Sequence, residues 1–180
     1  MKAFVFAAAA AAAAVVLAGS NAASAQDVNS AFVTKCPAGQ WALTFDDGPS
    51  ALTPELLQLL QTAGVPASFF VLGVQLENAE FARSTKAAFD AGHLIASHTY
   101  DHLDLNTLTA AQVKDQMVRT EASIKSVIGF TPNYMRPPFG NCGPVCAGVM
   151  KELGYTVSSW DVDSNDWKVK DTPEQAKVID

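Results

Sequence analysis

The sequence predicts an α/β fold, a parallel sheet with helices packed outside it, and three observations carry that expectation. Short apolar runs of strand character alternate with helix-like segments between residues 41 and 160. This βαβα rhythm suits parallel strands, which need a crossover between them. The polar motifs all fall where strands end, the face on which parallel α/β folds build their sites.

Taken in order, residues 1–25 stand apart. Lys2 supplies a positive start, Ala3 to Ala18 is an apolar, alanine-dominated stretch, and Ala23-Ser24-Ala25 is a small-residue cleavage signal before Gln26. The run is short for a membrane span and ends in small polar residues, so it reads as a secretory signal peptide. It inflates the 49% hydrophobic content of the 180-residue chain. Without those 25 residues and their one lysine, 155 residues remain and the formal charge moves from −6 to −7. A moderately acidic chain of one domain's length is a poor candidate for binding nucleic acid. The expectation is a single domain over 26–180, monomeric, with no membrane span once the leader is removed.

Strands are expected at 41–46, 67–72, 93–97, 133–136 and 155–160, and helices at 54–63, 79–91, 110–128 and 144–153. Thr53-Pro54 reads as an N-cap with proline in the first turn, and Thr109 with Gln112 as a capping box. No internal repeat, low-complexity tract or linker interrupts the series.

The first strand ends in Asp46-Asp47-Gly48-Pro49. Neighbouring side chains on a strand point to opposite faces, so the two carboxylates can share one face only where the backbone turns, and Gly48-Pro49 is expected to supply the turn. Like charges held together call for a cation or a proton. One Asp as metal ligand and the other as general base meets that demand; an acidic turn capping the next helix is the plain alternative. After the third strand, His98 and His102 stand four apart, and on a helical turn they would meet on one face and could chelate one ion. With a strand-end Asp they make an Asp-His-His set with open positions, whereas structural zinc sites close with four ligands. His93, at the other end of the strand, reads as a structural histidine. Arg136 follows the fourth strand and precedes Pro137-Pro138. Buried there it needs a carboxylate, and Asp46 is the natural partner. Beyond the fifth strand, Trp160, Asp163, Asp166 and Trp167 suit a sugar-binding wall, the alternative being an acidic loop with Trp160 in the core.

Thr44-Phe45-Asp46-Asp47, His98-Thr99-Tyr100-Asp101-His102, Arg136-Pro137-Pro138-Phe139 and Asp163-Ser164-Asn165-Asp166-Trp167 occur in that order. They resemble four of the five motifs of the polysaccharide deacetylase family, also called the NodB-homology or carbohydrate esterase 4 family. The resemblance covers roughly residues 36–170, and the Cys-rich loop after Phe139 is most similar to fungal chitin deacetylases. It implies a distorted (β/α) barrel and metal-dependent removal of acetyl groups from N-acetylglucosamine polymers, outside the cell or in its wall. It implies further that Asp47, His98 and His102 bind the metal, zinc or another divalent ion such as cobalt. Asp46 is then the general base, oriented by Arg136. Asp163 is assigned to the catalytic set, and Phe139, Trp167 and Tyr100 to the substrate.

The fifth motif of the family, a Leu-x-His that supplies the acid, has no counterpart here, since no histidine follows His102. An acetyl xylan esterase of the same family and a non-catalytic, metal-containing saccharide binder are the alternatives; retention of Asp46 favours the enzyme. The motifs do not choose the polysaccharide or its chain length. Cys142 and Cys146 are expected to form a local disulfide in an oxidising compartment, which leaves Cys36 over. A helix start at Thr172-Pro173 stops within two turns, and five strands are too few to close a barrel that usually takes about 250 residues. The barrel is therefore expected to be incomplete at its C-terminal side.

Overall fold

The structure, a computed structural model, describes residues 33–168. The expected leader at 1–25 and the expected helix start at 172–175 lie outside the described residues. Five short strands form one sheet: β1 (Thr44–Phe45), β2 (Ser68–Val71), β3 (Leu94–Ser97), β4 (Tyr134–Met135) and β5 (Thr156–Val157). Their spatial order follows the chain, and every neighbouring pair is parallel. Helices α1 (Thr53–Ala63), α2 (Ala79–Asp90), α3 (Ala110–Ile128) and α4 (Pro144–Leu153) make the crossovers. This is the parallel α/β fold expected, with strand order progressing as in a barrel wall. The strands are shorter than the apolar runs; in β1 only Thr44 and Phe45 pair, and Trp41, Ala42 and Leu43 precede the ladder.

Local chemistry explains the helix ends. Thr109 and Gln112 form the reciprocal capping box at the start of α3. Asn78 caps α2 by accepting from the N–H groups of Glu80 and Phe81. Thr53 departs from expectation. Helix α1 begins one residue earlier than an N-cap role would allow, and the Thr53 hydroxyl instead accepts from the Ser50 N–H at 2.9 Å. It thereby ties the helix to the turn after Asp47.

The core has two parts. Phe69, Val71 and Ile95 on one sheet face pack with Leu60 of α1, Ala88 of α2, and Ile124 and Ile128 of α3. Met135 and Val157 pack with Val113 and Met117 of α3 and with Val149 and Met150 of α4. Alternation turns Phe70 to the other face, where its ring lies under the Arg136 guanidinium at 4.1 Å. His93 is buried as expected; its Nδ1 accepts from the Ala67 N–H and its ring meets Phe69 edge-on. No described helix is long and apolar enough to cross a membrane.

Candidate active site

Parallel pairing aligns the C-terminal ends of β1, β3, β4 and β5, and the next residues of each strand deliver the site. Asp46 and Asp47 follow β1, His98 follows β3, Arg136 follows β4, and Ser159 lies just beyond β5. Asp47 has φ 64°, so the backbone reverses at this residue itself rather than only at Gly48-Pro49. Without the reversal the two side chains would point to opposite faces; with it both serve the same strand end, Asp46 beside Arg136 and Asp47 beside the histidines.

The histidines do not sit on a helical turn, contrary to the reading of their spacing. Residues 98–102 form an irregular loop with positive φ at Thr99 (70°) and His102 (55°). The loop nonetheless brings the rings together, centroids 5.1 Å apart. Nε2 of His98 and Nε2 of His102 converge on the same oxygen of Asp47, at 3.2 and 3.1 Å.

The tautomer of His98 follows from its other nitrogen. Nδ1 lies 2.7 Å from the carbonyl oxygen of Arg136, which can only accept, so Nδ1 carries the hydrogen. In a neutral ring, Nε2 then turns a lone pair toward a carboxylate oxygen. That lone pair and the Asp47 oxygen are two electron-rich atoms facing each other, and the arrangement demands positive charge between them, as a proton or a cation. Edges of 3.1–3.2 Å suit ligands about 2.0–2.2 Å from a shared ion. A backbone carbonyl behind the imidazole is the usual device for orienting a metal-binding histidine. The residues fit a divalent ion, and three protein ligands leave positions open for reactants.

Asp46 is held apart from that cluster. Nη1 of Arg136 donates to Asp46 Oδ1 and to Thr44 Oγ1, each at 2.8 Å, and Nη2 donates to the Ser159 carbonyl at 3.2 Å. Burial raises the Asp46 carboxyl above the usual carboxylate range, against the opposing pull of His98 and Arg136. Asp47 is lowered, chiefly by its hydrogen bond with His98. Burial lowers His102, which favours its neutral, metal-binding form.

The remaining expected residues divide. Phe139, at φ 59°, sets its ring edge-on to His102, centroids 4.8 Å apart, and is largely exposed. Trp167 is exposed, with the Lys168 ammonium over its ring. Asp163 is exposed and accepts from the Asn165 N–H within its own loop; no described contact joins it to the cluster. Tyr100 does not present itself to a substrate. It is buried, its hydroxyl bonds to Glu77, and Arg119 lies across its ring. Cys142 and Cys146 form the expected disulfide, Cα atoms 5.1 Å apart. Among the described residues Cys36 is free and exposed.

Several supporting residues escaped sequence reasoning. Thr44 and the Ser159 carbonyl share Arg136 with Asp46. Asn141 Nδ2 donates to Asp104, and the Gly143 N–H donates to Asn106, tying the disulfide loop to the segment after His102. Only the Thr44 contact had a sequence signal, two residues before Asp46 on the same face of the strand.

A parallel sheet carries at its strand ends an Asp-His-His cluster that could hold a metal ion and an arginine-held carboxylate, and this defines an α/β protein. The model of the polysaccharide deacetylase family matches residues 34–158, and the chain belongs to that family. A chitin deacetylase of Pestalotiopsis sp is 40% identical over 141 residues, covering 77% of this chain and 47% of that protein. A peptidoglycan-N-acetylglucosamine deacetylase of Bacillus cereus is 37% identical over 129 residues, covering 71% of this chain and 46% of that protein. The solved structure of the chitin deacetylase from Colletotrichum lindemuthianum superposes with a TM-score of 0.76 at 36% identity, covering 82% of this chain and 66% of that one. The chain thus spans about half the length of the curated relatives it matches.

Proposed function

We propose that this chain is a secreted, metal-dependent deacetylase that hydrolyses the N-acetyl groups of N-acetylglucosamine polymers, of the chitin type, and releases acetate. The observation that carries the reading is the convergence of His98 and His102 on one oxygen of Asp47, beside an Asp46 held by Arg136. Asp47, His98 and His102 would hold the ion, zinc by the balance of two imidazoles and a carboxylate, with cobalt as a functional substitute. When bound, such an ion polarises the acetamide carbonyl and lowers the pKa of a water.

The chain's own residues do the rest. Asp46 takes the proton of the attacking water, and Arg136 keeps that carboxylate ionised and aimed. A backbone N–H at Phe139 donates to the developing oxyanion. The amide C–N bond breaks as Asp46 passes the water's proton to the departing amine, and acetate leaves. Phe139, Trp167 and Asp163, all exposed, line the sugar groove. The leader-like residues 1–25 and the Cys142–Cys146 disulfide support export to an oxidising compartment. The names of the relatives favour an amide over a xylan ester as the bond cleaved.

The test measures zinc content and acetate release from chitin oligomers for the purified chain and three variants. His98→Ala and Asp47→Asn are expected to lose stoichiometric zinc. Asp46→Asn should keep the metal and lose roughly 10²–10⁴-fold in rate. Zinc retained by both ligand variants would sink the metal assignment. Asp46→Asn turning over as fast as the parent chain would sink the base.

A further inference from the structure

We infer that Gln116, on α3, is the positioning residue that sets the spacing of the two histidines. The inference rests on the metal reading of Asp47, His98 and His102 and names what holds their loop in shape.

The two ends of residues 98–102 are secured differently. His98 is gripped from both sides, its N–H by the Val71 carbonyl at 2.9 Å and its Nδ1 by the Arg136 carbonyl. His102 has a positive φ and a side chain 28% exposed, and among the described residues its ring has Phe139 and His98 as aromatic neighbours. The position of His102 therefore depends on the backbone between the rings. The carbonyls of Thr99 and Tyr100 accept from the N–H groups of Gly73 and Val74. The next two N–H groups, of Tyr100 and Asp101, both donate to Gln116 Oε1, at 3.1 and 2.8 Å.

The orientation of the Gln116 amide is settled by its partners. Backbone N–H groups can only donate, so Oε1 must face them. An ionised Asp101 carboxylate can only accept, and Nε2 donates to its Oδ2 at 2.8 Å. Arg119 holds the same Oδ2 at 3.2 Å, and its guanidinium covers the Tyr100 ring at 3.6 Å. Gln116 is 4% exposed, so no water replaces these bonds without rearrangement. A single amide thus fixes two consecutive peptide units in a segment whose φ values at Thr99 and His102 are not those an L-residue prefers. A glutamate in the same place would still accept both N–H groups but would set a carboxylate against Asp101. Pairing it with asparagine at 101 would restore a donor to that contact.

The test compares the parent chain with Gln116→Leu, Gln116→Glu, and Gln116→Glu combined with Asp101→Asn. Zinc affinity is read by chelator competition, coordination by the visible absorption of the cobalt-loaded protein, and stability by thermal unfolding without metal. Val149→Ala, in the core far along the chain from the loop, serves as a destabilised control. Gln116→Leu and Gln116→Glu should weaken zinc binding about 10–100-fold and alter the cobalt spectrum. The paired variant should recover most of the affinity, and Val149→Ala should keep both affinity and spectrum. Parent-like affinity and spectrum in Gln116→Leu would overturn the inference. So would a folded paired variant no tighter than Gln116→Glu, which decides the matter even where Gln116→Leu fails to fold. A parent chain that takes up no zinc would overturn the metal reading itself, and this inference with it.

Discussion

Arg136 is 3% exposed, and its charge is met by one carboxylate, one hydroxyl, one carbonyl and the face of Phe70. Removing Asp46 would leave that cation buried without a counter-charge, and removing Arg136 would leave Asp46 with burial alone acting on it. The second case has a direct kinetic consequence. Burial already raises the Asp46 carboxyl, and Arg136 opposes the rise. In Arg136→Met the carboxyl should move further up. A general base works only when ionised, so the acid limb of kcat/KM against pH should shift to higher pH. The rate at neutral pH should fall accordingly, while zinc content stays at the parent level. An acid limb in the same place would show that Asp46 is not the titrating base.

At the scale of elements, the loops after the strands are braced against one another as well as against the helices. The disulfide loop and the segment after His102 are joined by Asn141 to Asp104 and by Gly143 to Asn106, and Phe139 meets His102 between them. Cys142 lies just before α4 and Cys146 within its first turn, so the bridge closes a very short loop. Short-loop closure stabilises modestly, by about 2 kcal/mol in the chain-entropy account. Replacing both cysteines by serine should cost about that much in denaturant unfolding. It should weaken substrate use more than metal binding, because the bridge supports Phe139 rather than a ligand. Loss of zinc in this variant would contradict that division. A cost near zero would mean that the Asn141 and Gly143 contacts suffice.

For the whole molecule, helix α3 links the two parts of the core and the site. Ile124 and Ile128 pack against the β2 and β3 face, Val113 and Met117 against β4, β5 and α4, and Gln116 against the histidine loop. Ile124 is fully buried, so Ile124→Ala should destabilise the fold by about 2–5 kcal/mol through lost burial and the cavity left behind. A metal that binds only the folded chain should stabilise the whole of it. Free zinc at 100 times the dissociation constant should add about 2.7 kcal/mol and raise the unfolding temperature. Asp47→Asn should abolish that rise, and a rise that persists in Asp47→Asn would place zinc elsewhere.

The sequence by itself determined the elements and the order of the motifs. Helix period, strand-like runs, the Thr109–Gln112 capping box and the Cys142–Cys146 spacing are local patterns, and each is decided within a few residues of chain. It also determined that Arg136 would seek Asp46, although 90 residues separate them, because a cation at one strand end and a carboxylate at another meet wherever strands run parallel. The tertiary structure decided how the site is held. The histidine spacing that a helical turn would explain comes instead from a loop with two positive φ values, supported by Gly73, Val74 and Gln116. Tyr100, polar and within a motif, is turned inward by Glu77 and Arg119. The Thr53 hydroxyl accepts from the Ser50 N–H rather than capping its own helix. For the histidine loop and Tyr100 the outcome rests on a partner from another part of the chain. Local propensity records the conformation a segment prefers alone, and buried hydrogen bonds between distant segments can override it at little net cost, since every group must be satisfied somewhere.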